Sequence, residues 1–455
     1  MKIAVIGGGS FTWSFGFVRQ FVDSQYLAGA TLVLMDINPE ALALVNKAAT
    51  IYNNSHSRPI KIETTTDTDA ALDGADFVLV SISTGGIEAM RHDIEIPEKY
   101  GIWHTVGDTV GPGGWSRAAR NIPVFNDLAA KMKELCPDAW MLNVTNPLSV
   151  LTRLCQRNHG IKTIGMCHGV EDQVRTLAHV IGFDEKSEFS FSCTGIDHGS
   201  FFLSLYADGV DMLAKLKEMG FYRCDGKLPA KVETDDPMAD SVTNKIIFEI
   251  WYTLGYLPTV ADRHIVENYP NYLISENGQL RPEIKRTSIA DRQKRLAQCR
   301  SLLEKYIANK DQSSLGALGH DNDPVAKVIE ALSGQDPPQG VHRTFLLCSN
   351  YMNIGQTPEL PAGAVVETRC LFDAAGVHPL CSPMPDVLKP IVLPHVWRQE
   401  RSIDIVLDGT FNDFVSLVMT DPLCSRLPIK QCREMVKEML QANKSLIKNP
   451  RLLEF

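Results

Sequence analysis

The sequence predicts an α/β protein: a doubly wound parallel sheet in the N-terminal part and an α+β unit in the C-terminal part. Three observations predict it. Apolar runs alternate with helical spacings from the first residues to Met166, the pattern of a parallel sheet covered on both faces. The first run ends in a glycine triplet and the second in an acid, as at the start of a nucleotide-binding domain. The chain has 455 residues, too many for one small module and enough for two or three domains.

The elements follow in order. Lys2–Ile6 is a short apolar strand stopped by Gly7-Gly8-Gly9, and a helix is expected over about Thr12–Tyr26. Thr31–Asp36 is a second strand. Asn38-Pro39 opens a helix to about Tyr52, because proline is tolerated in a first turn. Lys61–Thr65, Asp76–Ile82, Ala139–Val144 and Lys162–Met166 read as four further strands, with Arg91–Gly114 as a long loop. Beyond them Glu188–Thr194 and Gly199–Tyr206 read as strands, and Pro237–Gly255 and Ile284–Lys310 as helices. Pro361–Leu371, Pro390–Leu393 and Asp404–Leu407 suggest more sheet. Pro428–Leu446 has helical spacing and a basic, solvated character. The boundary is set between residues 1–190 and 191–455.

Charge and cysteine usage exclude several classes. Lys+Arg 45 against Asp+Glu 54 gives a net charge of -9, which argues against nucleic acid or an anionic membrane as partner. No apolar run approaches the ~20 residues of a spanning helix. The start MKIAVIGGGS lacks a small-residue cleavage site and reads as a strand, so a cytoplasmic location is expected. The 11 cysteines are odd in number and scattered, with no CxxC. They read as reduced, inert thiols.

Gly7, Gly8, Gly9, Ser10, Phe11 and Thr12 lie between a strand and a helix, where bare backbone and a helix N-terminus receive a pyrophosphate. Thr12 stands where the usual third glycine falls. Asp36 ends the second strand, where an acid receives ribose hydroxyls and disfavours a 2'-phosphate, so NAD is preferred to NADP. Ser83 and Thr84 end the fourth strand and Asn146 follows the fifth, all at the ligand-binding edge of such a sheet. Cys167 and His168 end the sixth, and Asp197-His198 sits between two later strands. A thiolate and an imidazole at that edge suit a divalent metal, although spacing alone favours two unrelated buried residues.

With these residues in view, the chain resembles glycoside hydrolase family 4, the NAD- and manganese-dependent glycosidases. The resemblance runs over nearly the whole length. It rests on Gly7–Ser10, the RxDxxIPxKYG stretch at Arg91–Gly101, Thr145-Asn146-Pro147 and Cys167-His168. It also rests on His198, Gly255-Tyr256 through Asp262-Arg263-His264, Leu360–Glu367 and Thr420–Leu423. Asp197 departs from the pattern, since many members carry Asn there. The resemblance implies a Rossmann-type NAD domain with a C-terminal domain of the lactate/malate dehydrogenase C-terminal type. It implies a glycosidase acting by NAD-mediated C3 oxidation, C1–C2 elimination, hydration and re-reduction, with Mn2+ or another divalent metal as Lewis acid. Cys167 and His198 match the metal ligands. Tyr256 matches the base that removes the C2 proton, with Asp262 as the alternative. His168 matches a leaving-group acid or sugar contact. Arg91, Asn146 and His264 match sugar contacts.

His168 after the metal cysteine points, within the family, to an unphosphorylated α-glycoside. Gly169 and the TVGDTVGPGG loop look most like the α-galacturonidase and α-glucuronidase branch. A uronate needs a cation, and Arg263 is the expected one, because a guanidinium pairs bidentately with a carboxylate. A neutral α-galactosidase or α-glucosidase is the alternative, and a net NAD-dependent sugar dehydrogenase a third. The expected partner is a small oligosaccharide, in a homodimer or homotetramer.

Overall fold

The computed structural model of the chain describes residues 1–184, 186–225, 245–310, 315, 324–334 and 343–455. Its strands are β1 Lys2–Ile6, β2 Thr31–Met35, β3 Lys61–Thr65, β4 Phe77–Val80, β5 Trp140–Asn143 and β6 Lys162–Gly165. They continue as β7 Phe189–Ile196, β8 Gly199–Ala207, β9 Val210–Asp211, β10 Phe345–Met352, β11 Val365–Asp373 and β12 Gly376–Pro379. Among the described residues these strands form two sheets.

The larger sheet runs β12-β11-β10-β6-β5-β4-β1-β2-β3. Its parallel part is β3-β2-β1-β4-β5-β6, the doubly wound order that binds dinucleotides where the winding reverses, here between β1 and β4. The buried faces of β1, β2 and β4 explain their continuous apolar runs. One face packs on Trp115, Phe125, Leu151 and the helices Lys389–Asp408, Phe411–Met419 and Ile429–Ala442. The other packs on Phe15, Phe21, Val45 and Leu303. Asn38 caps helix Pro39–Asn54 by accepting from the N–H groups of Glu40 and Ala41 (both 3.1 Å).

The second half of the chain adds β10–β12 to the same sheet as an antiparallel edge. The seam is a single bridge, Asn350 opposite Gly165. The smaller sheet, β7-β8-β9, is antiparallel and packs over a third core containing Phe201, Trp251, Leu257 and Val366.

Several expectations are corrected. Arg91–Gly114 is not a loop: Arg91 lies in helix Gly86–Glu98, and helix Gly111–Leu135 starts within the same stretch. Its prolines and glycines suggested breaks. Pro112, however, sits in a first turn, where its missing N–H costs nothing, and Pro97 is at a last turn. Pro390–Leu393 and Asp404–Leu407 are two parts of one helix, Lys389–Asp408. Their β-branched residues Val392, Ile405 and Val406 are buried on the helix rather than in a strand. The tail helix is Ile429–Ala442, and it is half buried rather than solvated: Cys432, Met435, Val436 and Met439 form an apolar stripe. Of Pro237–Gly255, the described part is helix Ile246–Leu254; residues 226–244 lie outside the described residues. Eight of the cysteines are buried, Cys167 is part-buried, and Cys224 and Cys381 are exposed.

Candidate active site

The β7–β8 hairpin turns through Asp197 and His198, with Ile196 and Gly199 as its last pair. His198 is left-handed (φ 58°), which costs a non-glycine residue roughly 1–2 kcal/mol. Asn268 of the turn Val266–Asn268 holds it there, its side-chain amide donating to the His198 carbonyl (2.9 Å). A side chain at Gly195 (φ 146°) would strike the Gly199 carbonyl, so the strand entering the turn requires glycine. The strain aims a buried imidazole into the interior.

Cys167 reaches the same point from the end of β6. Helix Gly169–Val180 begins two residues later, and the Gly169 N–H donates to the Cys167 sulfur (3.4 Å). A helix N-terminus favours a thiolate. A Cβ on Gly169 would press on Val260 at 3.0 Å, so the close approach of this N–H depends on glycine. The sulfur lies 3.5 Å from His198 Nε2.

The far edge of the imidazole fixes its tautomer. Asp108 accepts the Thr109 hydroxyl proton (2.8 Å), and the same hydroxyl oxygen is 2.8 Å from His198 Nδ1. Burial pushes the Asp108 carboxyl up, but His198, Arg117 and Arg292 outweigh it and hold it below its ordinary value. Ionised Asp108 takes the hydroxyl proton, so Thr109 oxygen accepts from Nδ1–H and Nε2 keeps its lone pair toward Cys167. Glu267 places this segment. It accepts the N–H groups of Thr105, Val106 and Gly107 (2.7, 2.7 and 2.9 Å) and sits 3.2 Å from His104 Nδ1.

Among the described residues two groups could hold a metal: Cys167, Asp197 and His198, and Asp108, His198 and His264, each with ligand atoms within 4.8 Å of one another. Asp108 and Asp197 both stand close to His198 Nδ1, at 3.9 and 3.8 Å, and only the first group adds a sulfur, which faces Nε2. The first fits a cation, since sulfur and nitrogen ligands at ordinary bond lengths on a tetrahedral ion stand about 3.6 Å apart. His264 packs tilted against His198 with ring centroids 4.2 Å apart, and burial, then His198 and Arg263, hold it well below the usual imidazole range.

The glycine turn stands at the β1–β4 switch. The N–H groups of Gly7 and Gly8 both donate to the Met35 carbonyl (2.9 and 2.7 Å), and that of Gly9 to Asp36 Oδ2 (2.9 Å). A Cβ on Gly7 would fall 2.1 Å from the Ser81 carbonyl oxygen. Ser10, Phe11 and Thr12 lead into helix Ser14–Asp23. Thr84 accepts from Arg120 Nε (3.1 Å), and the Ser83 carbonyl from the Gly86 N–H (2.9 Å). This bare turn, with an acid at the next strand end, suits a dinucleotide pyrophosphate and ribose.

The remaining expected residues divide. Arg263 Nε lies 3.3 Å from His264 Nε2, which joins it to the cluster. His168 adjoins Cys167, its ring 5.8 Å from that of Trp13. Asn146 accepts through its carbonyl from Arg117 Nε (3.1 Å) and Asn121 Nδ2 (2.8 Å), and its side chain receives the Leu148 N–H (3.2 Å). Tyr256 is half-buried, on a segment whose following residues run along β8. Asp262, the alternative base candidate, is buried, and burial raises its carboxyl to about 6. Its oxygens accept the N–H groups of Lys245, Ile246 and Ile247 (2.7, 3.0 and 2.8 Å), which caps helix Ile246–Leu254. Arg91 is engaged by Glu88 and Glu95 of its own helix. Asp108, Thr109 and Glu267 were missed. The glycines of the TVGDTVGPGG stretch flank Asp108 and Thr109 but give no pattern for their roles, and nothing local marks Glu267.

With this geometry in place, the comparisons are specific. Residues 2–183 match the family description Family 4 glycosyl hydrolase, and residues 193–424 match Family 4 glycosyl hydrolase C-terminal domain. An alpha-galacturonidase of Thermoanaerobacterium saccharolyticum is 29% identical, over 98% of this chain and 96% of the relative. An alpha-galactosidase of Bacillus subtilis is also 29% identical, over 97% of this chain and 98% of its own length. The crystal structure of a 6-phospho-alpha-glucosidase from gut microorganisms, in complex with NAD and Mn2+, has a TM-score of 0.81. It is 20% identical and covers 98% of this chain and 99% of its own, which establishes the shared fold.

Proposed function

The chain belongs to family 4 of the glycosyl hydrolases, and from that premise we propose that it hydrolyses the α-glycosidic bond of an unphosphorylated uronic acid sugar, an α-galacturonide first. The observation that carries the substrate is the near full-length similarity to proteins named alpha-galacturonidase, at 26–29% identity. NAD and a divalent metal, manganese first, are the proposed cofactors.

Bound NAD supplies a hydride acceptor that is regenerated each cycle, and the metal supplies Lewis-acid stabilisation of the sugar oxygens. The glycine turn and Asp36 would hold the dinucleotide, with Ser83, Thr84 and Asn146 along its path. Cys167 and His198 would hold the metal: Gly169 N–H stabilises the thiolate and Thr109 the tautomer that leaves Nε2 unprotonated. Tyr256 is the base at the sugar C2, because the Asp262 carboxylate is taken up by three backbone N–H groups. His168 is the acid at the leaving oxygen. Arg263 pairs with the uronate, oriented by His264. Arg91 reaches a sugar only by exchanging its ion pairs with Glu88 and Glu95.

A second reading, a neutral α-galactosidase, is favoured by the equally similar alpha-galactosidase of Bacillus subtilis. The test is a panel of aryl α-glycosides assayed with and without NAD+, Mn2+ and thiol reductant. Release of aryl alcohol from the α-galacturonide, requiring both cofactors without net NADH, is the expected result. A preference for the neutral galactoside selects the second reading. Steady NADH accumulation makes the protein a dehydrogenase.

A further inference from the structure

We infer that Asp197 is a third protein ligand of the metal, so that the chain holds a charge-compensated divalent cation before any sugar arrives. The inference rests on the metal reading above and adds a ligand to it.

Buried carboxylates in this protein are satisfied with few exceptions. Glu367 receives Asn350 Nδ2 (2.9 Å) and the Ser200 hydroxyl. Asp93 takes both guanidinium nitrogens of Arg120 (2.7 Å each). Asp421 receives Gly111 N–H (3.0 Å) and Trp115 Nε1 (2.9 Å). Glu267 and Asp262 each collect three backbone N–H groups. Among the described residues, Asp197 is the one buried carboxylate whose two oxygens both lack an N–H or O–H donor; its neighbours are the Cys167 thiol and, at 3.8 Å, His198 Nδ1. It is 1% exposed, so bulk solvent does not reach it.

A bare buried carboxylate costs several kcal/mol unless it is neutralised or coordinates a metal. Asp197 lies where coordination is available. One of its oxygens, the Cys167 sulfur and a His198 nitrogen fall within 4.8 Å of one another. The left-handed turn at His198 is what lets two adjacent residues converge on one point, since successive side chains of a regular strand face opposite ways. Thiolate and carboxylate together carry two negative charges, which compensate a dication. The neutral imidazole adds a third donor. The rest of the coordination sphere stays open for sugar oxygens.

The test is metal binding by the full chain without sugar. Purified protein stripped of metal is titrated calorimetrically with Mn2+ and with Co2+, and the Co2+ absorption spectrum is recorded. Asp197→Asn and Asp197→Ala are expected to weaken binding at least about 100-fold, beyond the 10–100-fold that loss of an outer contact produces. They should alter the Co2+ ligand-field bands and leave NAD+ affinity unchanged. The metal-free variants should melt no lower than metal-free wild type, because a bare buried charge has been removed. Variants that bind both metals within threefold of wild type, with superimposable Co2+ spectra, overturn the inference and leave Cys167 and His198 standing. A wild-type protein that binds neither metal overturns the metal reading as a whole.

Discussion

At the glycine turn the partners are near in sequence: Gly9 meets Asp36, 27 positions away, and Gly7 and Gly8 meet Met35. At the β7–β8 hairpin they are gathered from afar. Thr109 reaches His198 across 89 positions, Asn268 across 70 and Cys167 across 31. The turn is one βαβ unit closing on itself. The hairpin needs the end of β6, the segment before helix Gly111–Leu135 and the turn Val266–Asn268 all in place. A site of the first kind survives local damage elsewhere; a site of the second kind depends on the packing of three cores.

The largest test separates the two regions. Cys167→Ser should cost several kcal/mol in kcat/KM, about 10^3-fold, by removing the anionic ligand behind the Lewis acid. NAD+ affinity, followed by fluorescence titration, should stay within twofold. A parallel loss of NAD+ affinity would mean that the two regions are not independent.

Next comes Glu171, on the helix that begins beside Cys167. Burial pushes its carboxyl up to about 7, with Cys348 N–H only partly offsetting it. The folded state therefore holds this proton more tightly than the unfolded chain. The contribution of Glu171 to stability should be complete below the ordinary carboxyl range and be lost as pH rises to about 7, by up to about 3 kcal/mol. Glu171→Gln should flatten that slope in urea titrations across pH. An unchanged slope would assign it to other groups.

The smallest effect belongs to the glycine turn. Asp36→Asn should weaken NAD+ binding roughly fivefold, about 1 kcal/mol, and leave Mn2+ binding untouched. Loss of metal binding in this variant would erase the distinction between the regions.

The same distinction explains what could be read from the sequence. β1, β2, β4 and β5 were legible because a strand buried on both faces writes a continuous apolar run, and the glycine turn because it follows directly; β3 is an exposed edge strand and carries no such run. Cys167 and His198 were legible only through family resemblance; spacing alone left them as two buried residues. Asp108, Thr109 and Glu267 left no pattern, because their work is to orient another residue across the fold. Helix Lys389–Asp408 was misread because local β-branched content is weaker than the three-dimensional face it serves.

The seam at Gly165 has one more consequence. A side chain there would stand 2.9 Å from Asn350 Cβ and 2.8 Å from the Thr152 hydroxyl. The residue that lets the two halves of the chain share a sheet is thus two positions before the catalytic-edge thiol. Mechanically, β6 is the shaft between that joint and Cys167. Widening the joint by a single methyl group would push on β10 at one end and displace the sulfur at the other, so the packing of the halves and the aim of the thiol are inherited together.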